Sequence, residues 1–327
     1  MHSKLNVLFL PIPSLMEDWG SDLENAVSQH HNFRVADYDQ PLAPQFEDID
    51  VVIDHGGSVG TREMADLAAA GKVQLWQILG TGFEHFDLKY FKSKGLRVSN
   101  CPGTFSAVGL AECAMMFILM LARRYWDALE NLKAGVLYKP MGTELRGLKL
   151  GIIGFGASGI ELARLARAFG MKNLAIDIRD VGENEISEFG LEFVGKPSDL
   201  DDVIAQSDVV SLHLHLNAET HHIIDRGRLE LMKSTALLIN VARGALVDEE
   251  ALETALTEGW IGGAGIDVFS QEPPDFSSPV FGLPNVVAAP HISGCTDGTA
   301  RKRAQGALEN VNRVASGLEP LYRIDQA

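Results

Sequence analysis

Cysteine is scarce: Cys101, Cys113 and Cys295 are the only three among 327 residues. They are odd in number and show no metal-ligand spacing, which excludes a disulfide framework or a cysteine metal site as the organising device. Positive charge is also short, with 28 Lys and Arg against 44 Asp and Glu and a formal net charge of -16. Nucleic acid or an anionic membrane would be repelled by that balance. Long apolar runs are missing too. Ala107 to Ala122 is apolar over 16 residues but holds Glu112, short of the ~20 residues that a span requires. Leu5 to Leu10 is too brief for a signal-peptide core and soon meets Glu17 and Asp18. The expectation is a soluble, cytoplasmic chain.

What is present is ordinary globular usage, 46% hydrophobic and 22% charged, at a length that suits two domains. Short buried strands are expected at Leu5–Leu10, Arg34–Tyr38, Val51–Asp54, Val73–Leu79 and Leu96–Ser99. Helical stretches such as Ser21–His30 and Thr61–Ala70 alternate with them. Thr104 to Trp126 reads as one long helix leading into a second domain. There the alternation repeats with strands at Lys149–Gly154, Leu174–Asp177, Val209–Leu216, Ala236–Ala242, Ala264–Val268 and Val286–Ala289, before a last helix over Thr296–Ser316. Strands alternating with helices predict an α/β architecture of parallel sheets covered on both faces.

The second domain opens on Gly154-Phe155-Gly156-Ala157-Ser158-Gly159. With 32 glycines in the chain, this G-x-G-x-x-G spacing alone is weak, and a glycine turn of another α/β protein would also fit. Its setting adds weight: a strand precedes it, the helix Ile160–Phe169 follows, and Asp177 ends the next strand. The glycines permit a tight turn, close approach of a pyrophosphate and helix-on-strand packing, with the helix N-terminus toward the phosphates. Asp177 can bond ribose hydroxyls and would repel a 2′-phosphate, while Arg179 nearby qualifies that preference.

Three later pieces carry chemistry: Asn240-Val241-Ala242-Arg243-Gly244, Gln271-Glu272-Pro273-Pro274 and Ala289-Pro290-His291-Ile292-Ser293-Gly294. Arg243 can clamp a carboxylate through a planar two-point fork. His291 can move a proton at a hydroxyl or carbonyl, and Glu272 can hold that imidazole and favour its charged form. This set is what a 2-hydroxy or 2-keto acid oxidoreductase needs. Each has a plainer reading: a surface ion-pair arginine, a structural histidine, a glutamate shaping a proline loop. Arg243 and His291, however, follow strands, and ligands gather at carboxyl ends of strands in such sheets. His213 and His215, expected on one side of a strand, lack a third metal ligand, so no metal is expected. The Met115, Met116, Phe117 and Met120 cluster reads as core or interface.

With Gly80-Thr81-Gly82-Phe83-Glu84-His85-Phe86-Asp87, Val98-Ser99-Asn100-Cys101-Pro102-Gly103, Glu219-Thr220-His221-His222 and Gly265-Ile266-Asp267-Val268-Phe269 added, the chain resembles the D-isomer-specific 2-hydroxyacid dehydrogenases over nearly its whole length. The resemblance implies two doubly wound domains: a flavodoxin-like substrate domain (1–100 and 295–327) and a Rossmann NAD-binding domain (101–294), with substrate and nicotinamide in the cleft between them. It implies Arg243, Glu272 and His291 as the catalytic set. It also implies Gly154, Gly156, Ala157, Ser158, Gly159, Asp177, Thr220, Val241, Ala242, Arg243, Asp267, His291 and Gly294 around NAD, with Asp267 toward the carboxamide. Backbone amides at Gly80, Thr81 and Gly82 would receive the substrate carboxylate, along with Arg243 and His291. A homodimer is expected, with Thr104–Arg123 partly at its interface.

Some positions depart from the family's pattern. His215-Leu216 replaces a common strand-ending proline. Ser106 and Glu272 stand where formate dehydrogenases of the group resemble an Asn and Gln pattern, which argues against formate. Gly57 stands where phosphoglycerate-type members usually carry an Arg, and the chain ends without a regulatory extension. The expected function is hydride transfer between NAD(H) and a small 2-keto or 2-hydroxy acid. The alternative is an NAD(H)-sensing, corepressor-like regulator of the same fold.

Overall fold

A computed structural model describes residues 3–15, 19–56 and 59–326. Glu17, Asp18 and Gly57 lie outside the described residues. The chain divides into two compact units, Met1–Phe105 with Asp297–Ala327, and Ser106–Thr296.

The first unit runs β1 (Asn6–Leu10), α1 (Ser21–Ser28), β2 (Asn32–Val35), α2 (Leu42–Phe46), β3 (Val51–Asp54), α3 (Arg62–Ala70), β4 (Leu75–Ile78), α4 (Leu88–Ser93) and β5 (Val98–Ser99), with the chain's last helix, Asp297–Ala315, added to it. Its strands form one sheet in the order β2-β1-β3-β4-β5, every ladder parallel. Alternate side chains of each strand point to opposite faces. Leu8, Val52, Trp76 and Ile78 join one core, and Val7, Phe9, Val51, Ile53 and Leu75 join the other with Ala304, Ala307 and Val311 of the last helix.

The second unit contains α5 (Ala107–Ala122), α6 (Tyr125–Lys133), β6 (Lys149–Ile153), α7 (Ala157–Ala168), β7 (Lys172–Ile176), α8 (Glu183–Phe189), β8 (Leu191–Gly195), α9 (Leu200–Gln206), β9 (Val209–Leu212), α10 (Arg226–Leu231), β10 (Leu237–Asn240), α11 (Glu249–Glu258), β11 (Gly263–Ile266) and β12 (Val286–Ala288). The strands lie in the order β12-β11-β10-β9-β6-β7-β8, again all parallel. Both sheets are the doubly wound α/β arrangement expected of the sequence. In each, the winding reverses beside the first strand, between β1 and β3 and between β6 and β9, where ligand crevices form in open sheets.

Several boundaries differ from the sequence reading, each for a local reason. The helix expected to run unbroken to Trp126 stops at Ala122, because Arg124 takes a left-handed conformation (φ 50°) before α6 begins. Strand β2 starts earlier than Arg34, in register with β1 from Asn32 opposite Asn6. Its side chains alternate little in burial, being an edge strand with one partner. The edge strand β8 carries only two buried residues and gave no apolar signal. Strand β9 ends at Leu212, so His213 and His215 follow the strand rather than sharing one of its faces. None of the helices of the described residues is long and apolar enough to cross a membrane.

Candidate active site

The second sheet presents the expected site residues in spatial order along its carboxyl edge. Asp177 follows β7, the glycine turn follows β6, His213 follows β9, Arg243 lies just beyond β10, Asp267 follows β11 and His291 lies just beyond β12. Neighbouring strands are about 4.8 Å apart, so Asp177 and Arg243 hang from strands separated by about 14 Å. That span suits a dinucleotide laid across the edge.

At the glycine turn, three glycines answer three demands. Gly154 has φ 95°, and a Cβ there would lie 2.5 Å from the His213 carbonyl oxygen. A Cβ on Gly159 would lie 2.3 Å from the Gly154 carbonyl oxygen, so this glycine sets the approach of α7 to the turn. A Cβ on Gly156 would meet nothing within 4 Å. That open face at the N-cap of α7 fits a phosphate, where the first amides of a helix have no intrahelical acceptor. Ala157 and Ser158 form the first turn of α7, three residues ahead of the start expected from sequence.

Asp177, expected at a ribose, braces the turn. Its Oδ2 accepts from Phe155 N–H at 2.6 Å and its Oδ1 from Arg179 N–H at 2.8 Å. Across the turn, His213 Nδ1 lies 2.9 Å from Ser158 Oγ, and its Nε2 lies 2.9 Å from Ser211 Oγ. Part of this residue reaches the surface, but both ring nitrogens are covered by hydroxyls, and burial pushes its pKa down to about 4. A neutral ring with Nδ1–H toward Ser158 would leave that hydroxyl's own proton for a phosphate oxygen. Both nitrogens being so used, the metal reading of His213 with His215 finds no support, and no metal-holding group occurs among the described residues.

The next loops are built by close packing. Asn240 Oδ1 accepts Ala242 N–H at 3.1 Å and its Nδ2 donates to the Arg243 carbonyl at 2.8 Å. This fixes the turn that presents Arg243, while Val241 and Ala242 are buried beneath it. Arg243 Nη1 donates to the Ala242 carbonyl at 2.7 Å. A Cβ on Gly244 would fall 1.9 Å from the Phe269 carbonyl carbon, so only glycine lets the Arg243 segment touch the loop carrying Glu272.

Glu272 Oε1 accepts Phe269 N–H at 3.1 Å, and Oε2 lies 2.7 Å from His291 Nδ1. Partial burial opposes its ionisation. The hydrogen bonds from His291 and Phe269, with the charges of His291 and Arg243, outweigh it and hold the carboxyl below its ordinary range. An ionised Glu272 can only accept, so Nδ1 of His291 carries the hydrogen and Nε2 is the nitrogen left for a ligand.

His291 itself takes the left-handed backbone (φ 55°), a conformation that surrounding contacts must hold. Its N–H donates to the Asp267 carbonyl at 2.8 Å, and the Asp267 carboxylate accepts from Ile292 and Ser293 N–H at 2.8 Å each. Asp267 is wholly buried, and that burial raises its pKa despite those bonds and the nearby His291. The family resemblance implies a carboxamide contact for Asp267; in the structure its carboxylate shapes the His291 loop. Gly294 ends that loop, its carbonyl accepting Thr296 N–H at 3.1 Å. Thr220 closes the turn after β9, donating to the His215 carbonyl at 2.7 Å and accepting Asn217 N–H at 2.9 Å.

Within the first unit, Gly80, Thr81 and Gly82 follow β4. The Gly80 carbonyl accepts Cys101 N–H at 3.1 Å and the Thr81 carbonyl accepts Asn100 Nδ2 at 2.7 Å. Thr81 Oγ1 is buried without a hydrogen-bond partner among the described residues.

Sequence reasoning missed the bracing side chains: Ser211, His213 and Asn240, and the second role of Asp267. A signal existed for the first three, since each is a polar residue near the end of an otherwise apolar strand.

Residues 115–293, more than half the chain, match the model of the D-isomer specific 2-hydroxyacid dehydrogenase NAD-binding domain. The chain belongs to this family. It is 37% identical to a glyoxylate reductase of Thermofilum pendens over 258 residues, covering 77% of this chain and 75% of that protein. A hydroxypyruvate reductase of Thermotoga maritima is 39% identical over 259 residues, 78% of this chain and 81% of the relative. The crystal structure of an Aquifex aeolicus D-lactate dehydrogenase with NAD and lactic acid has a TM-score of 0.79 at 29% identity, over 95% of this chain and 96% of that one. As a member of the family the chain is an NAD-linked 2-hydroxyacid oxidoreductase. These relatives are enzymes by name and lend nothing to the corepressor alternative.

Proposed function

We propose that the protein reduces a small 2-keto acid to the D-2-hydroxy acid with NADH, Arg243, Glu272 and His291 doing the protein's share of the chemistry. The 2.7 Å pairing of Glu272 with His291, on the same sheet edge as Arg243, carries this reading. The nicotinamide, when bound, supplies or accepts the hydride.

The chain's own residues then have distinct tasks. Arg243 pairs with the substrate carboxylate and polarises the 2-keto oxygen. His291 Nε2–H gives its proton to that oxygen as the carbonyl carbon is reduced, and takes it back in the oxidative direction. Glu272 remains an anion throughout and holds the ring's orientation through Nδ1. The imidazole, still partly exposed, regains its proton from solvent. Gly156, Ala157, Ser158 and Gly159 would hold the pyrophosphate, and Asp177 the ribose. Thr220, Val241, Ala242, Asp267 and Gly294 would line the rest of the dinucleotide. The amides of Gly80, Thr81 and Gly82 would receive the carboxylate, giving the first unit (near 1–100 and 295–327) the role of substrate domain.

Glyoxylate and hydroxypyruvate are the leading substrates, since the relatives quoted above are named for them. We further propose a cytoplasmic homodimer without nucleic-acid or membrane partners. Nine residues of α5 are buried within the unit, while Val108 and Met116 on it are exposed. Larger apolar side chains stand exposed just beyond it, at Leu132, Leu137, Tyr138 and Met141, and a second copy of this chain would cover them. Steady-state NADH oxidation with glyoxylate, hydroxypyruvate, pyruvate, phenylpyruvate and phosphohydroxypyruvate tests the function. Turnover should be highest with glyoxylate and hydroxypyruvate, and no turnover with any member of the panel would refute the reading.

A further inference from the structure

Two cations stand beside Asp177 at the ribose end of the sheet, Arg179 in the loop after β7 and Lys196 just after β8. Either is chemically able to bind a 2′-phosphate, yet every donor of both is already occupied. Arg179 Nε and Nη2 donate to the Phe155 carbonyl at 3.2 and 2.8 Å. Its Nη1 and Nη2 grip Glu185 Oε2 and Oε1 at 2.9 and 2.8 Å, and Nη1 reaches the Asp180 carbonyl at 3.5 Å. A guanidinium has five N–H groups and an ammonium three. Lys196 Nζ meets the Ile178 carbonyl at 3.1 Å, the Arg179 carbonyl at 2.9 Å and Asp180 Oδ1 at 2.7 Å.

Of the two carboxylates doing this, Glu185 has a further anchor. Glu185, at the third position of α8, also accepts Gly182 N–H at 3.3 Å. The guanidinium in turn lies 5.6 Å from the centre of the Phe155 ring, and Phe155 is the residue between the first two glycines of the turn.

We propose that Glu185 is a cofactor-specificity residue: it holds the Arg179 guanidinium on the Phe155 carbonyl, so that a 2′-phosphate would face the Asp177 carboxylate with both neighbouring cations already engaged. Arg179 thereby serves as a clamp on the glycine turn in an NAD-selective protein, where the same residue with free donors would serve NADP. The inference rests on the family's dinucleotide site and names what sets its choice between the two dinucleotides.

Equilibrium binding tests it without turnover. NADH and NADPH are titrated by quenching of intrinsic fluorescence, and AMP and 2′-phospho-AMP by calorimetry. In Glu185→Gln the donors of Arg179 are released, and NADPH should tighten about tenfold relative to NADH, the scale of one charge-assisted phosphate contact. Adding Arg179→Ala to Glu185→Gln should abolish that gain, because a gain from lost negative charge alone would survive it. Arg179→Ala by itself should weaken both dinucleotides alike and leave their ratio within about twofold of the parent, which keeps the test alive if Glu185→Gln does not fold. An unchanged ratio in folded Glu185→Gln, a gain that persists in the double variant, or a selective loss of NADPH in Arg179→Ala would each overturn the proposal. Retained NADH binding in these variants keeps the dinucleotide site itself separate from that outcome.

Discussion

Glu272 meets His291 through one carboxylate oxygen and the Phe269 amide through the other, at 2.7 and 3.1 Å. The carboxylate is thus anchored to its own loop while it orients the ring. Its depressed pKa means that it stays ionised as pH falls into the ordinary carboxylate range, so a negative charge faces the imidazole throughout the working pH. In Glu272→Gln a hydrogen bond can persist but the charge is gone. The kcat/KM should then fall about tenfold or more in both directions, with NADH affinity little changed. Parental kcat/KM in the variant would show that Glu272 only shapes its loop.

Arg243→Lys keeps the charge and discards the planar fork. Turnover with a keto acid should drop by about a hundredfold or more, as when one preorganised donor is lost. NADH affinity measured by fluorescence should stay within about threefold, since the dinucleotide is held mostly elsewhere along the edge. Near-parental turnover in this variant would mean that the carboxylate is bound by other groups.

Gly244→Ala addresses the contact between the Arg243 and Glu272 loops. The added methyl meets backbone at Phe269 and Ser270, which cannot yield as a side-chain tip would. A loss of about 2–3 kcal/mol in urea unfolding is expected, the upper range for overpacking, with a disproportionate loss of kcat. A variant as stable and active as the parent would show that the two loops are not in tight contact.

Acid should destabilise the fold in a window that belongs to histidine. Burial pushes both His55 and His213 down to about 4 from 6.5, with the Arg303 charge adding to the effect at His55. Between those values the unfolded chain binds protons that the folded chain refuses, so stability rises with pH there and is lost as pH falls from about 6.5 toward about 4. The slope of unfolding free energy against pH should reach up to about two protons from these residues, and His213→Gln should remove about one. A flat profile over that range would contradict the burial of both rings.

The proposed dimer can be checked by light scattering at micromolar concentration. The parent should give twice the chain mass, and the pair Leu137→Asp with Tyr138→Asp should shift it to one. The parent measuring as a monomer would refute this surface.

Much of the candidate site was legible because its residues carry unusual chemistry at strand ends: the spacing of Gly154, Gly156 and Gly159, the acid at Asp177, and Arg243 and His291 after apolar runs. Fold class was legible for the same reason, since buried parallel strands are short apolar runs between helices. What the sequence withheld were relations between distant loops. Nothing local to Asp267 shows that its carboxylate receives the amides of Ile292 and Ser293, and Gly244 looks like any turn glycine until Phe269 is placed against it. Arg179 read as a hint of NADP until Glu185, six residues away, proved to occupy its fork. The break at Arg124 was hidden too, because apolar residues continue on either side of it.

The parallel sheet of the second unit also acts as a ruler. Its strand spacing is set by backbone hydrogen bonds and is indifferent to side chains, so the distances between stations on its edge are inherited by any sequence that keeps the strands paired. Changes after β7 and β8 can therefore retune which dinucleotide is accepted without shifting the stations after β10 and β12. The two halves of the reaction, choosing an electron carrier and moving a proton, can drift independently along one rigid scale.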